Sequence, residues 1–542
     1  MAGLRIIGSG VLFAVGWLGL ALPAIGLTAG TTSPPPIADV AVPATAHREQ
    51  IGRLTHVHLT GTPEELGAAH GRLLLEPTQA LEGDLIATFI DRVPGFPARH
   101  LLLGLVGINN RTLPGFFTTP ELQELAAQAQ MPDPTADHWR CLGVPFQRAV
   151  QYHALHDVSQ YLIDNPLVRP IQVGCSAFAV GQARTRDGHL IAGRLFDFEG
   201  GPRFDLDKVV FTVQPQDGLR FVHVAWAGMT GAVTGLNEAG LWVSINAAAT
   251  KGMGFCGRPI VMAVREILQH CHTIDEAVTV LRRTPVFVSD GVLVVSRSEN
   301  RAAVIEIGPT GLAVRPWQDD LVISTNHFLD PAWANDSTNT QRITAGTTNV
   351  RYARLETLLT AAPLDPATAV AILRDRRGPG GVDVGFNNRS TINAWIGAHL
   401  AVADVTRGIL WVSEPRHGLG AMRAFTVDGP LPAEDLPADA ELARCENDLP
   451  RWLAAAAELR ELLPTRAAHA DRCAELAEEL LRLNPRSFES HWLAGLAATD
   501  PAQRQSQLEQ ALALHPAYPA DAKAIHRSLA GATATAEATT GP

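Results

Sequence analysis

Two hydrophobic periods alternate along this 542-residue chain, and the changes from one to the other divide it into parts. From 49 to 174 the pattern is mainly that of amphipathic helices, predicted around 76–93, 120–130 and 137–163. A short strand, Leu54 to Thr60, precedes them. It leads to Gly61-Thr62-Pro63, where Thr62 caps a helix that has Pro63 at its first position and Glu65 three residues on. From 175 to 425 the period shortens. Brief β-rich runs at 176–182, 189–193, 208–213, 220–225, 241–246, 291–296, 303–306, 321–324 and 408–412 read as strands. Helical patterns interrupt them at 259–271 and 274–283, with Thr273 capping the second. Runs of strands followed by helices imply stacked sheets covered by helices, an α+β class. From about 436 to 530 the helical period returns in a stretch rich in Ala, Leu, Glu and Arg.

The chain opens differently. Arg5 precedes an uncharged stretch from Ile6 to Ala29, roughly 36 Å as a helix and enough to cross a bilayer. Its length favours a retained anchor over a cleaved signal, although Pro23 and the small residues at Ala21 and Ala24 keep cleavage open. In both cases Arg5 stays inside and the rest lies across the membrane, so an extracytoplasmic location is expected, periplasmic or secreted, with residues 6–29 as membrane contact. The TTSPPP run at 31–36 reads as an extended spacer.

Length calls for two or three domains, because one core does not grow to this size. The balance of 44 basic against 55 acidic residues argues against a nucleic-acid surface. Six cysteines, at 141, 175, 256, 271, 445 and 473, are too sparse for a disulfide scaffold. A Cys256–Cys271 bridge is conceivable outside the cytoplasm, but unpaired thiols are the expectation. His153 and His156, three apart on a helix, could begin a metal site. No third ligand follows at a recognisable spacing, so packed, hydrogen-bonded histidines are expected instead. Adjacent side chains diverge on a helix, which makes His270-Cys271-His272 a poor site too. Asn-x-Ser/Thr triplets at Asn110, Asn335 and Asn388 are too common to establish glycosylation.

The chemistry gathers at residues 174–198, GCSAFAVGQARTRDGHLIAGRLFDF. A strand, a turn and a second strand would carry Arg194 and Asp197 back towards Cys175. A thiol attacks once its proton is removed and its thiolate is steadied. Gly174 allows close backbone approach, which suits self-cleavage of the Gly174–Cys175 bond. The freed α-amine, titrating at about 7.7–8, would then serve as the thiol's own base.

With GLNEAGLWVSINA at 235–247, STNHF at 324–328 and VRYARL at 350–355, these blocks resemble the N-terminal-nucleophile hydrolases. The specific likeness is to the isopenicillin-N/acyl-coenzyme A:6-aminopenicillanic acid acyltransferase family, distantly similar to choloylglycine hydrolase and penicillin V amidase. It covers roughly 175–355, with a weaker match at 57–73. The resemblance implies a four-layer αββα sandwich, self-cleavage, and a thioester formed on Cys175 from an acyl amide. It also implies that Asp197 holds the α-amine, that Asn246 and Asn326 stabilise the oxyanion, and that Arg351 lies near the substrate mouth. Arg194 would favour the thiolate. Each has a plainer reading: a hairpin-end salt bridge for Arg194 and Asp197, turn chemistry for the asparagines, a solvated helix face for Arg351 with Arg354. Asn237 is assigned to a tight turn and kept out of the catalytic set.

The repeats ELLRLNP (479–485) and QALALHP (510–516) resemble a tetratricopeptide pair, their prolines 31 positions apart. Too few units are present for a free solenoid, so these helices are expected to pack on the enzyme or on a protein partner. The expected division is 1–30 signal peptide or anchor, 31–48 linker, 49–174 helical prosegment and 175–429 catalytic domain. It continues with 430–530 as the helical-repeat extension and 531–542 as a disordered tail. The expected function is a self-processing amidase or acyltransferase acting on a small acyl amide, with no metal or organic cofactor. Its rival is a membrane-anchored helical-repeat binding protein with an inactive hydrolase domain.

Overall fold

The computed structural model describes residues 34–539, apart from 38–39, scattered positions between 94 and 110, 131–136, 140–142, 164–173, 255 and 429–432. The 6–29 segment, Asn110 and Cys141 therefore lie outside the described residues. Among those described, no helix is long and apolar enough to cross a membrane.

Among the described residues fifteen strands form two sheets. The first five are β1 (His47–Ile51), β2 (Leu54–Gly61), β3 (Ser176–Val180), β4 (Ile191–Asp197) and β5 (Lys208–Pro215). Then come β6 (Phe221–Trp226), β7 (Thr234–Asn237), β8 (Leu241–Ala248), β9 (Ser289–Ser296) and β10 (Arg301–Gly308). The last are β11 (Gly311–Pro316), β12 (Leu321–Ser324), β13 (Gly397–Asp404), β14 (Ile409–Ser413) and β15 (Met422–Thr426). A nine-stranded sheet runs β1-β2-β5-β6-β7-β8-β9-β10-β11, and a six-stranded sheet runs β12-β3-β4-β13-β14-β15.

The sheets stack face to face. Val210, Val224, Trp242 and Leu293 of the first meet Ala177, Ala192, Ala401 and Leu410 of the second in one dry layer. The outer face of the nine-stranded sheet is covered by helices through Leu66, Leu125, Ile260, Ile267 and Leu281. The outer face of the six-stranded sheet is covered by Leu355, Leu359, Val370 and Leu373, from helices Thr348–Leu359 and Pro366–Leu373. Helix, sheet, sheet and helix thus follow as layers, each element burying its apolar face against the next.

The segment before Cys175 is part of this body rather than an appendage of helices. β2 pairs in parallel with β5, so the segment contributes two strands to the larger sheet. Thr62 caps helix Pro63–Leu73 with a reciprocal Glu65 bond, as the sequence predicts, and Thr273 does the same for Ile274–Arg283. The single helix predicted over 137–163 is instead two, Pro145–His153 and Leu155–Ile163. Strands β1, β7, β11, β13 and β15 were not anticipated. The five described cysteines are all free thiols.

Five helices close the described chain: Leu442–Leu462, Ala470–Leu483, Phe488–Ala497, Pro501–Ala513 and Pro519–Thr539. Each packs on the one before it. They share a core with the sheet domain, in which Phe386, Trp395 and Leu419 meet Leu449, Trp452 and Leu480. Phe386 stacks on Trp395 at 4.7 Å and meets Trp452 edge-on at 5.8 Å. Asn484 clasps the same loop: its Oδ1 accepts from Phe386 N (3.2 Å) and its Nδ2 donates to Phe386 O (2.9 Å). The C-terminal helices pack on the sheet domain.

Candidate active site

Cys175 immediately precedes β3, and β3 pairs antiparallel with β4 in the register Ser176↔Leu195, Ala177↔Arg194. The predicted hairpin therefore forms, and it brings Arg194 and Asp197 to the cysteine. The thiol is only 1% exposed, and its Sγ lies 3.9 Å from the backbone oxygen of Asp197. Burial pushes its pKa up, while the Arg194 guanidinium pulls it down.

Arg194 is wholly buried between the sheets. Its Nη1 donates to Val233 O (2.7 Å) and to the Thr234 hydroxyl, and its Nη2 donates to Ile245 O. The guanidinium also sits 4.3 Å over the Phe196 ring. These partners are carbonyls, a hydroxyl and a π face rather than a carboxylate, so the hairpin-end salt bridge is not what forms. Burial draws its pKa down to about 10, and Cys175 leads the groups that hold it up.

Asp197 ends β4 and is equally buried. Burial raises its carboxyl to about 7, against the pull of Arg351 and Arg389. Among the described residues its Oδ1 has no hydrogen-bond partner, a costly state for a buried carboxylate. A side chain at 174 would place its Cβ 2.7 Å from Asp197 Oδ2, so any residue but glycine would push that carboxylate aside.

Arg351, on helix Thr348–Leu359, departs furthest from its plain reading. It is buried instead of lying on a solvated face. Its Nη1 donates to Gly174 O (2.9 Å), Cys175 O (2.5 Å) and Ser176 Oγ (3.1 Å), and its Nη2 donates to Asn326 Oδ1 (2.7 Å). Its neighbour Arg354 faces away and pairs with Asp375.

The asparagines are placed differently from an oxyanion pair. Asn246 Nδ2 donates to Ser324 O (3.0 Å) and Oγ (3.2 Å), tying β8 to the end of β12. Asn326 Nδ2 donates to Ala247 O (2.8 Å). The hydrogen bond on the Gly174 carbonyl comes from Arg351, and Asn326 steadies Arg351.

Two groups here escaped sequence reasoning. Arg389 pairs with Glu199, two residues beyond Asp197, at 2.5 Å, and acts electrostatically on Asp197. Tyr518, from the C-terminal helices, is within electrostatic range of Arg389 and Arg351, and burial raises its pKa. Asn388 Nδ2 donates to His515 O (3.1 Å), holding that helical region against the loop that carries Arg389. Asn388 is buried, which leaves no room for a glycan. Glu199 follows the GRLFDF block directly and was the one available signal for Arg389.

The histidine pair is structural. His153 lies between Ala149 O and the Thr230 hydroxyl, and His156 Nε2 pairs with Asp290 at 2.9 Å. Asn237 donates to Leu268 O and Cys271 O and accepts from Leu241 N. It locks the β7–β8 turn, and Gly240 takes the left-handed angle (φ +78°).

Beside the site Phe196, Phe198, Phe204 and Trp226 form an aromatic cluster in the same core as Cys175. Phe204, Trp226 and Met229 face Thr78, Leu81, Leu85 and Leu155 across an apolar crevice with only about 10 Å³ of room for solvent. That is no more than about one water needs. A larger surface hollow of about 380 Å³, lined by Glu266, His270 and Arg283 among others, holds none of the candidate residues.

Comparison with known proteins bears on the same region. Residues 184–387 match the family described as acyl-coenzyme A:6-aminopenicillanic acid acyl-transferase, a span that contains Arg194, Asp197, Asn246, Asn326 and Arg351 and begins after Cys175. Protein dcd1B of Dictyostelium discoideum is 24% identical over 268 residues, 46% of this chain and 50% of that protein. An uncharacterized protein of Archaeoglobus fulgidus is 25% identical over 320 residues, 51% of this chain and 50% of that protein. The chain thus spans about half the length of the curated relatives it matches. Among solved structures, a Caenorhabditis elegans N-acylethanolamine-hydrolyzing acid amidase ortholog is 17% identical with a TM-score of 0.32, over 43% of this chain and 93% of that one. Penicillin V acylase from Agrobacterium tumefaciens is 16% identical with a TM-score of 0.30, over 44% and 83%. The likeness to the acyl-coenzyme A:6-aminopenicillanic acid acyl-transferase family is thus carried by residues 184–387, less than half of the chain.

Proposed function

We propose that this protein is an autoproteolytically activated N-terminal-nucleophile hydrolase or acyltransferase, with Cys175 as nucleophile and an acyl amide as substrate. The observation that carries the reading is Arg351 Nη1 on the Gly174 carbonyl, next to a thiol and an unpartnered buried carboxylate. In the first step Sγ of Cys175 attacks the Gly174 carbonyl carbon, and Arg351 stabilises the developing oxyanion. Asp197 takes the thiol proton and passes it to the Cys175 nitrogen as the C–N bond breaks. Water then hydrolyses the Gly174 thioester and frees both the thiol and the α-amine. The new ammonium meets Asp197 Oδ1, the atom that lacks a partner before the cut.

In turnover the same thiol attacks the substrate's acyl carbon, the α-amine acts as base, and the amine leaves. Water or a second amine resolves the thioester. The aromatic lining favours an apolar acyl group, and the crevice is shut by helix Leu75–Arg92 of the preceding segment, which would have to shift for the acyl chain to enter. The C-terminal helices are read as a tetratricopeptide-like pair serving the enzyme, and the 6–29 stretch as the support for an extracytoplasmic location.

Intact-mass analysis tests the reading without knowledge of the substrate. Active protein should contain two fragments, the second beginning at Cys175, while Cys175→Ala should remain one inactive chain. Uncut wild type with full amidase activity would overturn the mechanism.

A further inference from the structure

The β1–β2 hairpin forms one edge of the larger sheet, opposite β11. Its register sets His47 opposite His58 and Glu49 opposite His56. Residues two apart on a strand share a face, so all four side chains stand on one side of the hairpin. The His47 and His58 rings stack at 4.3 Å with an interplanar angle of 11°. His58 Nε2 lies 3.2 Å from Glu49 Oε1, and His56 Nδ1 lies 3.0 Å from the same oxygen. One ligand atom from each of His47, Glu49 and His58 falls within 4.8 Å of the others.

We propose that His47, Glu49 and His58 form a surface site for a divalent transition-metal ion, with Zn²⁺ the best fit. Two imidazoles and a carboxylate match the borderline-soft donor set of zinc. Donors at about 2.0–2.1 Å in a tetrahedron stand about 3.3 Å apart, so side-chain rotation within the present spacing completes the site. The surrounding bonds already orient the donors. His47 Nδ1 lies 2.9 Å from Thr45 O, so a proton on Nδ1 leaves the Nε2 lone pair for the metal. His56 stands between Thr212 Oγ1 (2.9 Å) and Glu49, holding the carboxylate from behind. Binding exchanges the His58–Glu49 hydrogen bond for two metal bonds and moves the single proton of neutral His58 to Nδ1. The fourth position is left to water. Such a clip would join an edge strand to its neighbour where further strand pairing is otherwise invited. It plays no part in the thiol chemistry.

The test titrates tag-free, chelator-stripped full-length protein with Zn²⁺ by calorimetry at neutral pH, alongside a His47→Ala/His58→Ala variant. One equivalent should bind to wild type, and the double variant should lose about tenfold or more in affinity. Glu49→Gln, which keeps the shape and removes the charge, should weaken binding as well. Thermal midpoints should rise with Zn²⁺ in wild type and stay fixed in the double variant. Equal affinity in wild type and double variant, or no binding in either, would reduce the cluster to a hydrogen-bonded histidine patch.

Discussion

At the residue scale, the candidate site is governed by groups that burial makes costly. Arg351 brings one cation to two backbone carbonyls and a hydroxyl at the proposed cleavage point. Removing a main oxyanion donor costs about 2.7–4 kcal/mol of transition-state stabilisation. Arg351→Ala should therefore slow self-cleavage by roughly 100- to 1000-fold, read by following the uncut chain in mass spectra. A cut at the wild-type rate would remove Arg351 from that step. Asp197 gives a second expectation. Its carboxyl titrates near 7 in the folded, uncut chain and at about 3.9 in an unfolded one, so folding tightens its hold on the proton. The contribution is present in full below pH ~4 and is lost as the pH rises through 7, on the order of 4 kcal/mol in total. Uncuttable Cys175→Ala should be less stable to urea at pH 8 than at pH 5, and a further Asp197→Asn change should flatten that difference. Equal slopes in both variants would show that Asp197 is already paired before the cut. Cys175, Arg194 and Asp197 were legible because a hairpin carries them within 24 residues. The burial of Arg351 was not, since helix periodicity reports which face is apolar and not what a long cation reaches.

At the scale of elements, capped amphipathic helices were the most legible. Helices with a polar face and a capping residue were placed best: Ile274–Arg283 at both ends, and Pro63–Leu73 at its start. Strand β13 is buried along its whole length, so its GAHLAVAD sequence carries no inside-outside alternation to read. β7, only four residues long, and the edge strands β1, β11 and β15 were missed although each pairs with a neighbour in sequence; β1 and β11 bury no face that alternation could report. Turn chemistry was more secure. Asn237 serves Leu268 O, Cys271 O and Leu241 N together, and its loss strands buried backbone groups at about 1–3 kcal/mol each. Asn237→Ala should lower the denaturation midpoint while leaving turnover per folded molecule unchanged. A drop in turnover at unchanged stability would return it to the chemistry.

At the scale of the whole molecule, the boundary near Pro430 read from composition is not a boundary in packing. Every nucleophile and base candidate lies before it, so sequence alone made the C-terminal helices dispensable for turnover. The structure seats them on Phe386, Trp395 and Leu419, and Asn484 and the His515 carbonyl anchor the loop that presents Arg389. Stopping the chain at Pro430 would bare two aromatic side chains, each worth about 1.5–3 kcal/mol of burial. It would also leave that loop without its clasp. Arg351 and Asp197 are carried by helix Thr348–Leu359 and strand β4, so the truncated protein should still cut itself. Its turnover of a soluble amide should fall, because Arg389 and Tyr518 no longer border the site. Asn484→Ala tests the same link without exposing the core: cutting at the wild-type rate, with a lower kcat/KM, is the expected result. Wild-type kcat/KM in both variants would leave the helices to stability or docking alone and confine the substrate site to the two sheets.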